Sequence, residues 1–188
     1  MYEIEQEIAT YKPFTNPGLF DGIVPTLFQC TEMQKEVFLA VFTESLIMKS
    51  QSIAHLISFG PKFYSFFGGN ESDASVPLYA AKIYSNTFIH KFNVTCTTLE
   101  NCKSRIGSVD RATNMIELCP AYFDLQTQDY NSPAGYLINL ETQLTGRTTS
   151  RYYNPKEVKQ LAKINAKLAL SIAESYQYFA ESLHYGVQ

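Results

Sequence analysis

The chain has 188 residues, of which 45% are hydrophobic and 18% charged, and its formal net charge is −3. This length and apolar content fit one packed domain and exclude a disordered protein. The acidic balance argues against nucleic acid as a partner, because phosphate binding needs clustered Lys and Arg. No stretch approaches the ~18 apolar residues of a membrane-spanning helix. The composition therefore predicts a globular domain with no nucleic-acid partner and no membrane span.

The first half of the chain predicts two helices after an irregular start. Residues 1–28 contain several Pro and Gly residues and predict an irregular N-terminal segment. Apolar residues then recur at three- and four-residue spacing, which predicts a helix over Glu32–Phe59 that ends at Gly60 and Pro61. A second helix is predicted over Val76–Phe88.

The second half predicts a β-hairpin followed by two helices. Two short runs flank the turn-forming residues 110–113, which indicates a hairpin over Ser104–Leu118. A serine followed by proline is a typical helix start and predicts a helix over Pro133–Leu144. A similar start, with Glu in the first turn, predicts one long helix over Pro155–Leu183.

These elements predict an α+β fold that is mainly α, with a small β element between helices, in a single domain spanning 1–188. The pattern shows no repeat and no linker. One face of the last predicted helix carries a loose basic group, which we interpret as a solvated helix face. Its members are Lys156, Lys159, Lys163 and Lys167.

The four cysteines are Cys30, Cys96, Cys102 and Cys119. An even number allows two disulfides, and no two of them form the C-x-x-C pair of zinc ribbons and redox sites. The pattern therefore favours disulfides over a metal site.

Two sequence triplets bear on localisation. Asn70-Glu71-Ser72 and Asn93-Val94-Thr95 match the N-glycosylation sequon, so Asn70 and Asn93 are candidate glycosylation sites. The first residues lack the basic-then-apolar pattern of a signal peptide, which leaves a cytosolic protein or a mature secreted chain. Together with the cysteines, the sequons favour a secreted, extracellular glycoprotein.

Four blocks of the sequence match the motifs of one protein family in the same order: 114–123 (NMIELCPAYF), 134–143 (AGYLINLETQ), 145–154 (TGRTTSRYYN) and 168–180 (LALSIAESYQYFA). They resemble the deuterolysin-type (aspzincin) zinc endopeptidases of fungi. That family shows a strand ending in Cys before a Tyr, then I-H-E-x-T-H, G-T-x-x-D-x-x-Y-G and A-x-x-N-A-D-x-Y-x-x-F-A. The resemblance extends from about Cys30 to the end. It implies a zincin-like metalloprotease domain with the disulfides Cys30–Cys96 and Cys102–Cys119.

The chain departs from the family where the resemblance implies zinc chemistry. The family's H-E-x-x-H is replaced by Asn139-Leu140-Glu141-Thr142-Gln143, and its Asp ligand matches Ser150. Two His one helical turn apart and a Glu base are what a zincin needs, and carboxamides are poor zinc ligands. The histidines His55, His90 and His184 are too scattered to replace them. We therefore expect no metal, no cofactor and no enzyme activity.

Other positions of the family's site match in part. The resemblance places Tyr122 at the family's transition-state-stabilising Tyr and Tyr153 at the Tyr of its loop motif, while Glu174 replaces an Asp. These side chains either line a polar cleft or only pack.

The expectation for function is a secreted, catalytically inactive homologue that acts by binding. Its cleft would bind a protein, a peptide or a carbohydrate outside the cell, and an effector-like role follows by analogy alone. One alternative is another kind of enzyme that uses Glu141, Glu174 and the two tyrosines. A second alternative is a degenerate zinc-binding protein.

Overall fold

The computed structural model of the protein describes residues 24–69, 74–102, 104–126, 128–145 and 147–187. Its strands are β1 (Thr26–Phe28), β2 (Asn93–Cys96), β3 (Gly107–Asp110) and β4 (Met115–Leu118). Its helices are α1 (Glu32–Ile57), α2 (Tyr64–Phe67), α3 (Ser75–Ile89), α4 (Leu99–Cys102), α5 (Pro120–Phe123), α6 (Pro133–Leu144), α7 (Pro155–Ile164), α8 (Ala166–Ala169) and α9 (Ala173–His184). A 3-10 turn, Pro61–Phe63, precedes α2. The fold is α+β and mainly α, as the sequence predicted.

Helix α1 is the central helix of the core. Thr31 caps its start, since its hydroxyl accepts from the Gln34 N–H and the Gln34 side chain accepts from the Thr31 N–H. Phe38, Met48 and Ile53 on its inner face are fully buried, and the helix packs against α3, α6 and α9. By length and hydropathy alone α1 could cross a membrane, although the sequence analysis found no stretch of that kind. Its buried inner face makes it a core helix instead.

The last helix of the sequence analysis is the main error in the predicted elements. In place of one helix over Pro155–Leu183 the chain forms α7, α8 and α9. Asn165 leaves the helical conformation and its side chain caps α8 by accepting from the Leu168 N–H. Between α8 and α9, Ile172 forms a parallel β-bridge with Thr149, which lies in the loop before α7. Pairing with a distant loop therefore breaks a continuous apolar pattern.

The small sheet contains more than the predicted hairpin. Strands β3 and β4 pair antiparallel as predicted, and β2 pairs parallel with both β4 and β1. The strand order is β1-β2-β4-β3. Thr26–Phe28 is a strand rather than irregular structure, which corrects the expectation for the end of the segment 1–28. Residues 1–23 of that segment lie outside the described residues.

Two disulfides hold the sheet to its surroundings. Cys30 pairs with Cys96 and links the ends of β1 and β2, and Cys102 pairs with Cys119 and links α4 to the end of β4. Both pairings are those that the resemblance implies. Such bonds persist in oxidising compartments and fit an extracellular protein.

The fold does not show whether the two sequons are glycosylated. Asn93 begins β2 between two neighbouring strands and is half-buried, while Asn70 lies outside the described residues. Glycosylation at both positions stays a prediction, as does the boundary of the single domain. The described apolar side chains do share one core.

A buried ion pair joins α1 to α6. The Lys49 Nζ lies 2.6 Å from Glu141 Oε2, and the two side chains are 0% and 1% exposed. Burial lowers the pKa of Lys49 and raises the pKa of Glu141, while their mutual attraction opposes both shifts. The ammonium also lies over the rings of Phe42 and Phe88. Each charge therefore depends on the other to remain in the core.

Removal of one partner of this pair is expected to cost more than removal of both. Lys49→Met leaves Glu141 buried without its cation and should lower the free energy of unfolding by about 3–5 kcal/mol. The double variant Lys49→Met/Glu141→Met removes both charges and should regain most of that loss. Urea denaturation of the wild type, both single variants and the double variant measures the coupling. Additive losses in the double variant would show that the pair is not coupled.

A second buried carboxyl group joins α9 to the start of α6. Glu181 Oε1 accepts from both the backbone N–H and the hydroxyl of Ser132, the N-cap of α6. Gly135 in the first turn of α6 has no side chain, and a Cβ there would lie 2.0 Å from Glu181 Oε1. Burial raises the pKa of Glu181 to about 8, against the hydrogen bonds that lower it. Between pH 4.5 and about 8, the Glu181 carboxyl group is therefore protonated in the folded protein and ionised in the unfolded chain.

This proton makes stability depend on pH. The pKa of this carboxyl group is near its ordinary value of 4.5 in the unfolded chain and about 8 in the folded protein, so the free energy of unfolding should fall as pH rises between those values. The difference corresponds to about 5 kcal/mol. Glu181→Gln keeps the acceptor for Ser132 without the ionisation and should flatten this fall. Thermal unfolding of both proteins from pH 4 to pH 9 tests it, and parallel curves would contradict it.

Candidate functional site

A cleft of about 410 Å³ lies beside α6 and α9. Its walls are side chains of those two helices, the loop at 150–153 and the segment at 104–107 that leads into β3. The parallel bridge between Thr149 and Ile172 fixes the loop against the start of α9. The elements that bound the cleft are thus held by backbone pairing as well as by side-chain packing.

Glu174 is the buried acid of this cleft. Its side chain is 3% exposed, and its Oε1 accepts from the hydroxyl of Ser150 and from the backbone N–H groups of Arg151 and Tyr152. The other oxygen, Oε2, is buried and has no hydrogen-bond partner among the described residues. One half of the carboxylate therefore shapes the loop, and the other half is left without a donor.

A chain of carboxamides runs from α6 to α9 beside the cleft. Gln143 donates to Asn139 Oδ1, and Asn139 donates in turn to Gln177 Oε1 on α9. The Asn139 side chain is 3% exposed. Because the amides satisfy one another, they tie α6 to α9 without a charged group.

Tyrosine side chains form much of the remaining surface. Tyr136 lines the cleft from α6, and burial raises its pKa to about 12. The Tyr178 hydroxyl donates to the Tyr153 carbonyl and so fixes the loop to α9. Tyr152 is 88% exposed at the rim, with a positive φ of 59°. The backbone N–H that it presents to Glu174 helps to hold this left-handed conformation.

The structure brings together four of the seven candidate site residues. Asn139, Ser150, Tyr153 and Glu174 line the cleft. That these positions form a working site stays a prediction, as does the family role of each.

The other three candidates do not line this cleft. Tyr122 is fully buried and its hydroxyl donates to the Pro133 carbonyl, so it packs in the core. Leu140 is also buried, and its side chain reaches Gly107 beside β3. Gln143 acts one turn away through Asn139, and its carbonyl accepts from Arg111.

The residues of the alternative functions lie apart. Glu141 faces Lys49 in the core and not Glu174 in the cleft, so the two carboxyl groups cannot share a substrate. His90 contacts Asn114 and His184 contacts Gln51, far from one another along the fold. This arrangement favours neither alternative of the sequence analysis.

The resemblance implies a zinc ion beside Asn139, Gln143 and Ser150. The amide groups of Asn139 already bond to Gln143 and Gln177, and Ser150 donates to Glu174. Zinc sites in proteins use Cys, His and carboxylate donors. Within the described ranges no group of three or more such side chains could hold a metal ion. The donor set at this place does not fit zinc.

Sequence reasoning missed several cleft residues on α9 and before β3. Gln177 and Tyr178 follow Glu174 at three- and four-residue spacing, so all three share one helix face. A polar face on an otherwise apolar helix is the signal that could have identified them. Arg105 and Tyr136 carry no such signal, because only the tertiary fold brings them to the cleft.

The fold is similar to that of a solved zinc peptidase from Grifola frondosa, with a TM-score of 0.71 and 20% sequence identity. The match covers 81% of this chain and 97% of that one. At this identity the likeness shows the fold. Comparison with curated protein sequences gave no match.

The sequence model of the lysine-specific metallo-endopeptidases, the aspzincin family, matches residues 57–181. The expectation that this chain is not an enzyme rested on Asn139, Leu140 and Gln143, and these comparisons contradict it. Both the matched family and the solved structure are peptidases, so the family signal is that of a protease. Because the match spans more than half of the 188 residues, the chain belongs to the aspzincin family of lysine-specific metallo-endopeptidases.

Proposed function

We propose that the cleft binds an extended polypeptide outside the cell and receives one of its lysine side chains at Glu174. The chemical group recognised is the lysine ammonium, and the step is binding. It rests on the state of the Glu174 carboxylate more than on any other observation.

Glu174 is prepared for a cation. A buried carboxylate is costly unless hydrogen-bond donors and a counter-charge compensate it. One oxygen of Glu141 and one of Glu181 also lack a donor among the described residues, but neither residue lines the cleft. Three donors from the loop satisfy Oε1, and none of the described residues reaches Oε2. A lysine ammonium is a compact charge with three donors and would supply both the missing hydrogen bond and the missing charge.

The family description points to the same group. Its members are described as lysine-specific endopeptidases, and such specificity requires an acid in the cleft. Among the residues that line this cleft, Glu174 is the acidic one, and Arg105 is the basic one. Recognition of lysine by Glu174 is therefore the simplest assignment of that specificity to this chain.

The edge of the sheet offers the means to bind an extended backbone. Strand β3 lies at the edge of the order β1-β2-β4-β3. Ile106 accepts from the Cys119 N–H, so its neighbour Gly107 directs its own N–H and carbonyl away from β4. Ile106 and Gly107 also line the cleft. An extended segment could pair with this edge by strand addition.

The extracellular setting rests on the cysteines. Two disulfides fit a chain that works in an oxidising compartment. The effector role and the fungal origin expected from the resemblance have no further support and stay predictions.

Binding should depend on the lysine charge and on Glu174. The wild type should bind a lysine-containing peptide about 30-fold more tightly than the same peptide with acetyl-lysine, which corresponds to about 2 kcal/mol. Glu174→Gln keeps an oxygen for the three loop donors and should abolish this difference. Isothermal titration calorimetry gives both affinities, and mass spectrometry of the same samples records any cleavage.

The matched control is Glu36→Gln, which removes an exposed acid of α1 and should leave the preference intact. Thermal unfolding must show that Glu174→Gln is folded. Equal affinity of the wild type for the two peptides would refute recognition of the lysine charge.

Strand addition predicts a sensitivity that alternates along the ligand backbone. Methylation of a peptide N–H that pairs with Gly107 or Val109 removes a hydrogen bond and adds bulk at the sheet edge. The affinity should fall about tenfold, whereas methylation of the adjacent residue, whose N–H faces away, should have little effect. Titration of a series methylated at successive positions measures the pattern. A uniform response would argue against pairing with β3.

A further inference from the structure

A second concave surface lies next to the cleft. We call it the basic groove; its volume is about 630 Å³. Its lining residues are Tyr130, Asn154, Pro155, Lys156, Lys159, Gln160 and Lys163. Three of the seven are lysines, although the chain as a whole is acidic.

The lysines of the basic groove are not neutralised by the protein. Lys156, Lys159 and Lys163 form no ion pair with any described carboxylate. Lys159 instead lies over the ring of Phe66, 5.0 Å from its centroid, and over that of Tyr130. These rings hold the Lys159 ammonium in place without cancelling its charge.

A further cation strengthens the field of the groove. Burial and, to a smaller extent, the nearby charge of Lys159 lower the pKa of Lys62. Its ammonium is fixed by donation to the Ser182 carbonyl. Like charges that the fold places together without a counter-ion create a local positive potential.

The basic groove continues from the cleft. Asn131 and Tyr153 line the cleft, and the adjacent residues Tyr130 and Asn154 line the groove. The two concave surfaces thus share one wall, built from the chain at 130–131 and at 153–154. A ligand in the cleft therefore lies close to the basic groove.

We propose that the basic groove binds acidic side chains of the same polypeptide whose lysine occupies the cleft. This inference rests on the proposed function. The cleft carries the acid Glu174 and the groove carries three unpaired lysines, so the two surfaces together fit a ligand with a lysine and a nearby run of Asp or Glu. The groove adds a second, electrostatic requirement to the recognition of lysine.

The shape of the surface favours an acidic polypeptide over other polyanions. Interfacial membrane binding relies on an apolar face that enters the lipid beside the basic residues, whereas these lysines line a concavity. An independent polysaccharide would not require continuity with a cleft that fits a polypeptide. Carboxylates on a segment already held in the cleft reach the lysines at high effective concentration.

The test compares peptides that share one lysine. One carries uncharged flanks, and the other two carry four glutamates on the N-terminal or the C-terminal side. One acidic peptide should bind the wild type about tenfold more tightly than the uncharged one at low salt, and the gain should shrink as salt is added. In Lys156→Gln/Lys159→Gln/Lys163→Gln this gain should vanish, and the affinity for the uncharged peptide should remain.

The control variant is Lys35→Gln/Lys82→Gln/Lys91→Gln, which removes the same charge from lysines outside the groove and should retain the gain. Because Lys159 packs on aromatic rings, Lys156→Gln/Lys163→Gln serves as a second variant with only exposed positions changed. It should lose most of the gain.

The outcomes separate the two proposals. If the acidic peptides bind no better than the uncharged one, or if the gain persists in both groove variants, the basic groove has no such role and lysine recognition stands. If acetylation of the lysine and Glu174→Gln change nothing, lysine recognition fails first. The proposal would also be overturned if the acidic peptides gained no affinity while the protein bound phosphatidylserine vesicles or a sulfated polysaccharide through Lys156, Lys159 and Lys163.

Discussion

Helix α9 must bury polar side chains, and the arrangement of the site depends on how it does so. Glu174, Gln177 and Glu181 lie on a helix that is almost wholly buried. Each carboxyl or amide group needs a partner, because an unpaired buried polar group costs several kcal/mol. Gln177 finds its partner Asn139 on α6, and Glu181 Oε1 accepts from Ser132 at the N-cap of α6, while Glu181 Oε2 has no donor among the described residues. These contacts fix α6 against α9 in one register.

Glu174 differs because its partners come from a loop. One oxygen accepts three donors from residues 150–152, so the loop conformation, including the positive φ of Tyr152, depends on this single acid. The second oxygen lacks a donor among the described residues. The interaction that shapes the cleft is thus also the one that leaves a carboxylate oxygen without a donor from the described residues, and the loop is ordered by protein contacts alone.

Local signals in the sequence predicted what local physics determines. The serine and proline at the start of α6 and the capping box of α7 act within one turn, so those starts were correct. The break before α9, at Ile172, and the parallel strand β1 involve pairing with distant segments, and the sequence predicted neither. The same limit applies to the site. Asn139, Ser150, Tyr153 and Glu174 were found through their motifs, whereas Tyr122 matched a motif but is held in the core by Pro133.

A net charge of −3 conceals the distribution that matters for binding. The lysines of α7 read as a solvated face in the sequence, since helical spacing alone says nothing of what lies opposite. In the fold, Tyr130 and Phe66 approach Lys159 and turn part of that face into a groove beside the cleft. Charges of opposite sign on either side of one wall can align an extended ligand in a single direction, because the reversed ligand would set like charges against each other. The cleft and the basic groove would then together select the chain direction of the ligand, which neither surface specifies alone.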